Sequence, residues 1–263
     1  MDMNVQGKTV IVTAASKGLG KATALEFARE GANVLISSRN QAELETAVTE
    51  IKGESGNNYV DYAVCDITKP DDIKALVEKA VKWNGTVDVL INNAGGPPAG
   101  TFDKFADEDW QKAFELNLLS FIRTIREVLP YMKKQQSGRI VNFASSSIKQ
   151  TLDNLILSNT FRAGIVGLAK SLSQELAGDG ILINTLGPGR IATDRVAELD
   201  QIRADKTGVP VEELKAQTEA SIPIGRYGQP EEFARVAVFL GSEANSYVTG
   251  QAFVVDGGMV KAL

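Results

Sequence analysis

The sequence predicts a single α/β domain built on a doubly wound, seven-stranded parallel sheet with helices on both faces. Three observations carry that prediction. Short β-rich runs alternate with longer segments of helical period along the chain. The first run passes through a Gly-containing turn straight into a helix, as at a strand-to-helix crossover. A length of 263 residues suits one α/β domain with a large buried core.

The strand-like runs fall at 9–13, 33–37, 59–65, 87–91, 139–144, 181–186 and 252–255. Helical segments lie between them at 19–30, 41–52, 70–83, 108–134, 154–177 and 230–240, several with an acidic or Pro start and Gly after the end. The interval 191–227 is highly charged and weakly periodic. It reads as a helical excursion that covers a substrate site, because long insertions in compact domains are often lids. In the segment 154–177, Leu155, Ile156, Leu157, Phe161, Ile165, Val166, Leu168 and Leu172 leave little continuous polar face. A helix apolar on more than one side must bury more than one side. The second face is expected against a symmetry mate, the alternative being one thick core within a subunit.

A net charge of −5 with dispersed Lys and Arg gives no basic field for nucleic acid. No apolar run is long enough to cross a bilayer, and residues 1–9 lack the basic-then-apolar order of a secretory signal. A cytoplasmic protein without a membrane partner is therefore expected. Cys65 is the only cysteine, which excludes an internal disulfide, and its place in a strand-like run predicts a small buried apolar side chain. Histidine is absent, which removes the commonest general base and the commonest metal ligand. No metal site is expected, and proton transfer must use another residue type or water.

The turn after the first run contains Thr13, Ala14, Ala15, Ser16, Lys17, Gly18, Leu19 and Gly20. At a crossover, backbone N–H groups and a helix N-terminus in such a turn can hold a pyrophosphate. Further clusters follow later strands: Asp66-Ile67, Asn92-Asn93-Ala94-Gly95 and Pro188-Gly189-Arg190-Ile191-Ala192-Thr193. Open α/β sheets bind ligands at these carboxyl ends. Asn117 lies in the segment 108–134, and Ser145 follows the fifth run.

In this order, these motifs resemble those of the short-chain dehydrogenase/reductase family, and the ending 250–258 resembles the family's C-terminal strand and turn. The resemblance implies a Rossmann fold binding a nicotinamide dinucleotide. It also implies that Asp66, with Ile67, approaches the adenine, that Asn92 and the Ala94–Gly95 backbone meet the nucleoside, and that Thr193 meets the carboxamide beside Pro188 and Gly189. Ala14 replaces the family's first Gly, a change tolerable only if the backbone there avoids positive φ. After the second run, Ser37-Ser38-Arg39-Asn40 has no carboxylate where NAD-preferring relatives hold the ribose. Arg39 and Lys17 can instead pair with a 2′-phosphate, so NADP(H) is preferred and NAD(H) remains possible. Much of the family is tetrameric, which makes a homotetramer the favoured oligomer.

Counting on from Ser145 to the family's Tyr-x-x-x-Lys gives Ser158-Asn159-Thr160-Phe161-Arg162, and no Tyr occurs between Tyr131 and Tyr227. This spacing resembles an atypical subgroup related to β-ketoacyl carrier-protein reductases. In the family the Tyr gives a proton and the Lys holds the ribose. Ser158 is a far weaker acid than Tyr, and Arg162 supplies positive charge and paired donors without relaying protons. Two main readings follow, with non-redox chemistry in the same cleft as a further alternative. The first is an oxidoreductase acting on a carbonyl or alcohol, with Asn117, Ser145 and Arg162 as polar site groups and Ser158 as a weak donor or substrate contact. The second is a cofactor-binding sensor or structural partner without significant turnover. Substrate walls are expected from 96–99, 148–152 and 191–227, and Lys149 is expected to face solvent.

Overall fold

All seven runs become strands of one parallel sheet: β1 (Thr9–Val12), β2 (Asn33–Ser38), β3 (Val60–Val64), β4 (Val89–Asn92), β5 (Gly138–Phe143), β6 (Ile181–Pro188) and β7 (Ala252–Val255). This is a computed structural model that describes residues 2–262, the Asn84 side chain excepted; Met1 and Leu263, the ends of the expected domain, lie outside the described residues. The strand order is β3-β2-β1-β4-β5-β6-β7. The chain lays down β1 to β3 on one side and β4 to β7 on the other, all parallel, and a crevice opens at the carboxyl ends between β1 and β4.

The strands read as near-continuous apolar runs because both faces of the sheet are covered. Alternate residues feed two separate cores. Val10, Val12, Val34, Ile36, Val89 and Ile91 pack on one side, and Ile11, Leu35 and Leu90 on the other. Helices α1 (Gly18–Arg29), α2 (Gln41–Ser55) and α9 (Pro230–Leu240) cover the first face; α3 (Pro70–Asn84), α5 (Ser120–Gln135) and α6 (Ile156–Leu176) cover the second. On the first face the Phe143 and Phe233 rings meet edge to face at 4.8 Å. Cys65 is buried and free, and burial, aided by Asp72 and Asp66, pushes its thiol up to about 12. Among the described residues no helix is long and apolar enough to cross a membrane.

One region departs from the expected outline, and the 191–227 excursion is helical as expected. The segment 108–134 is not one regular helix: α4 (Asp107–Phe114) and α5 are joined by a π-helical turn, Glu115–Leu119, that contains Asn117. Such wide turns occur often at functional sites. The interval 191–227 forms α7 (Asp194–Thr207) and α8 (Val211–Ser221), separated at Gly208, whose φ of 70° ends α7. Arg190 pairs with buried Asp200 of α7 at 3.0 Å, and the Tyr227 hydroxyl donates to the same carboxylate at 2.8 Å. A bridge from Ile191 to Gly228 closes the base of the insertion.

In α6, Leu157 and Ile165 are buried, and Leu168 and Leu172 pack partly buried against the core. Leu155, Ile156, Phe161 and Val166 keep part of their surface in solvent. Phe161 packs on Trp110 at 6.0 Å, and Trp110 on Phe102 at 6.1 Å, with Phe102 exposed.

Candidate active site

A cavity of about 1560 Å³ runs along the carboxyl edge of the sheet. Its floor is the β1–α1 turn. The turn's shape comes from Thr13, whose hydroxyl donates to the Asn93 carbonyl at 2.7 Å and accepts from the Asn93 N–H at 2.8 Å. Asn93 Nδ2 in turn donates to the Ala14 carbonyl at 3.0 Å, and the Ala15 N–H donates to Ser37. These bonds hold Ala14 at φ 47°, against the expectation that a methyl there requires negative φ. The left-handed region costs a non-Gly residue roughly 1–2 kcal/mol, and the surrounding bonds outweigh it. Gly20 is obligatory, since an added Cβ would lie 2.6 Å from the Ala14 carbonyl oxygen.

The helix entered from this turn is open at its start. Lys17, at the N-cap of α1, makes no side-chain cap, and the first turn carries no acidic residue. Unsatisfied N–H groups and the positive end of the helix therefore face the cavity beside Ser16, Lys17, Gly18 and Leu19. That donor set fits the phosphates of a dinucleotide.

At one end of the cavity stand Ser38, Arg39, Asp66 and Ile67. Burial alone would raise the Asp66 pKa, but hydrogen bonds from Thr68, with Lys69 and Arg39 nearby, hold it below its usual value. Glu43 also reaches this end, where its carboxylate accepts from the Ser16 hydroxyl at 2.9 Å. Ala94 and Gly95 line the centre, and Pro188, Gly189 and Thr193 close the far side, with Thr193 capping α7 through the Val196 N–H.

Ser145, Ser158 and Arg162 line the same cavity. The Ser145 hydroxyl accepts from the Ser147 N–H at 3.2 Å. Arg162 is 5% exposed; its Nη1 donates to the Phe143 carbonyl at 2.9 Å and its Nη2 to Ala94 at 3.4 Å. Its guanidinium carbon lies over the Phe121 ring, 6.0 Å from the centroid. Among the described residues no carboxylate pairs with it, and burial lowers its pKa to about 10, so it is charged at neutral pH. Lys149 is exposed and stands off the cavity wall.

Five expected site residues support the cavity from behind instead of lining it: Thr13, Ala15, Gly20, Asn92 and Asn117. Asn92 was expected to meet a nucleoside, but it is fully buried. Its Nδ2 donates to Asn142 at 2.9 Å and its Oδ1 accepts from Thr124 at 2.5 Å, so it ties β4 to β5 and α5. Its neighbour Asn93 takes the cavity side. Asn117 Nδ2 donates to the Gly95 carbonyl at 2.7 Å, fixing the cavity-lining loop after β4, while its Oδ1 is buried without a partner among the described residues. Met259 and Val260 also line the cavity and were not anticipated. They arrive because the C-terminal turn packs on Gly189, where an added Cβ would meet Asp256 at 2.4 Å.

The family model described as Enoyl-(Acyl carrier protein) reductase matches residues 13–260. A 3-oxoacyl-[acyl-carrier-protein] reductase of Thermotoga maritima is 38% identical over 260 residues, covering 98% of this chain and 100% of the relative. Among solved structures, a variant of the actinorhodin polyketide ketoreductase with NADPH is 36% identical, with a TM-score of 0.92 over 96% of this chain and 97% of that one. The L-sorbose reductase of Gluconobacter frateurii, complexed with NADPH and L-sorbose, is 33% identical, with a TM-score of 0.94 over the full length of both. With the sheet order, the crossover turn and these likenesses together, the chain belongs to the short-chain dehydrogenase/reductase family.

Proposed function

We propose that this protein is an NADP(H)-dependent oxidoreductase that interconverts a carbonyl compound and its alcohol, with a 3-oxoacyl-type substrate as the first class to test. The observation that carries this reading is one continuous cavity joining the cations Lys17 and Arg39 to Ser145, Ser158 and Arg162. The relatives support the direction: two are reductases solved with NADPH, and a third is named for reduction of a 3-oxoacyl group.

Lys17 and Arg39 take the 2′-phosphate, and the open start of α1 takes the pyrophosphate. Asp66, Ile67, Ala94 and Gly95 line the nucleoside region; Pro188, Gly189 and Thr193 border the nicotinamide. When bound, the reduced dinucleotide supplies a hydride to the carbonyl carbon. Negative charge then develops on the carbonyl oxygen. Arg162, a fixed cation in a desolvated wall, stabilises that charge, and Ser145 donates a hydrogen bond to it. The proton that completes the alcohol comes from water, with Ser158 orienting the substrate. Ser158 and Arg162 occupy the places of the family's Tyr and Lys, so catalysis loses a strong general acid. That loss is typically worth about 10²–10⁴-fold, which leaves turnover slow.

The test is a screen of purified protein with NADPH against 3-oxoacyl thioesters, ketones and aldehydes. NADPH oxidation above the no-substrate rate is expected. Tight NADPH binding with no turnover on any carbonyl would overturn this reading in favour of a cofactor-binding sensor.

A further inference from the structure

The cavity continues beyond the residues assigned to the dinucleotide, along α7, and charge is segregated about that helix. All three basic residues of α7, Arg195, Arg203 and Lys206, line the cavity, whereas of its four acidic residues only Asp194 does. Spacings of eight and three residues place the three cations on one helical face. The acids are otherwise engaged. Asp200 is buried on Arg190 and Tyr227, Glu198 pairs with Arg195 at 2.9 Å, and Asp205 accepts from Gln201 at 2.8 Å. Arg203 reaches the Thr218 hydroxyl at 3.4 Å. Among the described residues no carboxylate forms an ion pair with Arg203 or Lys206.

The cavity is also larger than one ligand needs. At about 1560 Å³ it exceeds the roughly 300–1,000 Å³ usual for a single ligand pocket. In the proposed reading the cofactor's phosphates are met at the other end, by Lys17, Arg39 and the start of α1. A wall carrying two cations free of carboxylate partners concentrates anions at the substrate end.

We propose that the α7 face of Arg203 and Lys206, with Arg195 beside it, binds an anionic group, a carboxylate or a phosphate, carried by the substrate at a distance from its carbonyl. This rests on the carbonyl-reducing reading of the cavity. It narrows the substrate class to oxo compounds with a remote anion and gives the insertion a specificity role.

The test uses binding, so it needs no turnover. NADPH affinity is measured first by fluorescence titration. The NADPH-loaded protein is then titrated calorimetrically with 7-oxooctanoate, its methyl ester and 7-oxooctyl phosphate, and with the corresponding 11-oxododecyl series. In each series the anion lies away from the carbonyl and so away from Arg162. At least one anionic probe is expected to bind at least about tenfold tighter than its neutral ester, and the tighter of carboxylate and phosphate identifies the group. The double variant Arg203→Gln, Lys206→Gln is expected to bring the anion down to the ester's affinity while NADPH and the ester bind as before. Equal binding of anion and ester by the parent protein in both series would overturn the proposal. So would an equal loss of NADPH affinity in the double variant, which would assign these cations to the cofactor. Failure of NADPH to bind the parent protein would instead overturn the cofactor reading, and the anion-to-ester comparison on the free protein would still decide the role of α7.

Discussion

The Arg162 guanidinium donates to the Phe143 main-chain carbonyl at 2.9 Å, so a buried positive charge from α6 is pinned to the carboxyl end of β5. A cation held this way needs little reorganisation when negative charge develops beside it. Arg162→Ala should therefore weaken NADPH binding and lower turnover by at least about tenfold. Arg162→Lys, which keeps the charge, should recover part of both. Affinity by fluorescence and single-turnover rates would check this, with circular dichroism confirming the fold.

Ser158 is asked for less. Its hydroxyl is replaceable by water, and a neutral hydrogen bond is worth roughly 0.5–1.5 kcal/mol, so Ser158→Ala should slow turnover by less than about tenfold. Abolished turnover with intact NADPH affinity would make Ser158 the proton donor.

Arg39→Asp should weaken NADPH far more than NADH. A charge-assisted hydrogen bond is worth about 1.5–3 kcal/mol, so the preference should move by at least about tenfold in paired titrations. Equal effects on both cofactors would remove Arg39 from the 2′-phosphate site.

Ala14 sits at φ 47°, where Gly is free of penalty. Ala14→Gly should raise the unfolding free energy by about 0.5–1 kcal/mol, the relief of strain exceeding the extra entropy of the unfolded chain. Urea denaturation would measure it, and a destabilised variant would contradict the strain.

Glu232 accepts two hydrogen bonds from Arg226 and one from the Gln229 N–H, and the Arg226 contact chiefly lowers its pKa from 4.5 to about 2. A depressed carboxyl stabilises the fold above the unfolded pKa and loses that contribution as pH falls through the folded one. Stability should therefore decline from about pH 4.5 towards 2, and more shallowly in Glu232→Gln. Denaturant titrations across that range would show identical slopes if the pair contributes nothing.

A homo-oligomer, with a tetramer favoured, is the expected solution state, because Phe161 and Val166 of α6 and the aromatic strip reaching Phe102 keep apolar surface in solvent. Light scattering should give a multiple of 28.2 kDa. A monomer would mean that this strip is simply exposed.

The sheet was legible because parallel strands buried on both faces leave unbroken apolar runs, as in Val10-Ile11-Val12 and Val34-Leu35-Ile36. The site was less so wherever long-range contacts decide orientation. Asn92 and Asn93 are adjacent, and only the register of Asn92 opposite Asn142 turns one inward and the other to the cavity. The run Glu115-Leu116-Asn117-Leu118-Leu119 has the pattern of an ordinary helix, and nothing local in it signals the π turn from which Asn117 reaches Gly95. Positive φ at Ala14 likewise depends on Asn93, far along the chain. Met259 and Val260 reach the cavity through packing on Gly189, for which no local signal exists.

Hydride transfer in this cavity relies on Arg162, without a neighbouring Tyr among the described residues, to stabilise the oxyanion. The decisive measurement incubates the protein with NADPH dideuterated at C4 and a carbonyl substrate, then follows deuterium in the product by mass spectrometry. One deuterium is expected at the carbinol carbon, formed at a rate that falls by at least about tenfold in Arg162→Ala and by less than about tenfold in Ser158→Ala. NADPH bound tightly with no deuterium transferred to any carbonyl, or transfer unchanged in Arg162→Ala, would contradict it.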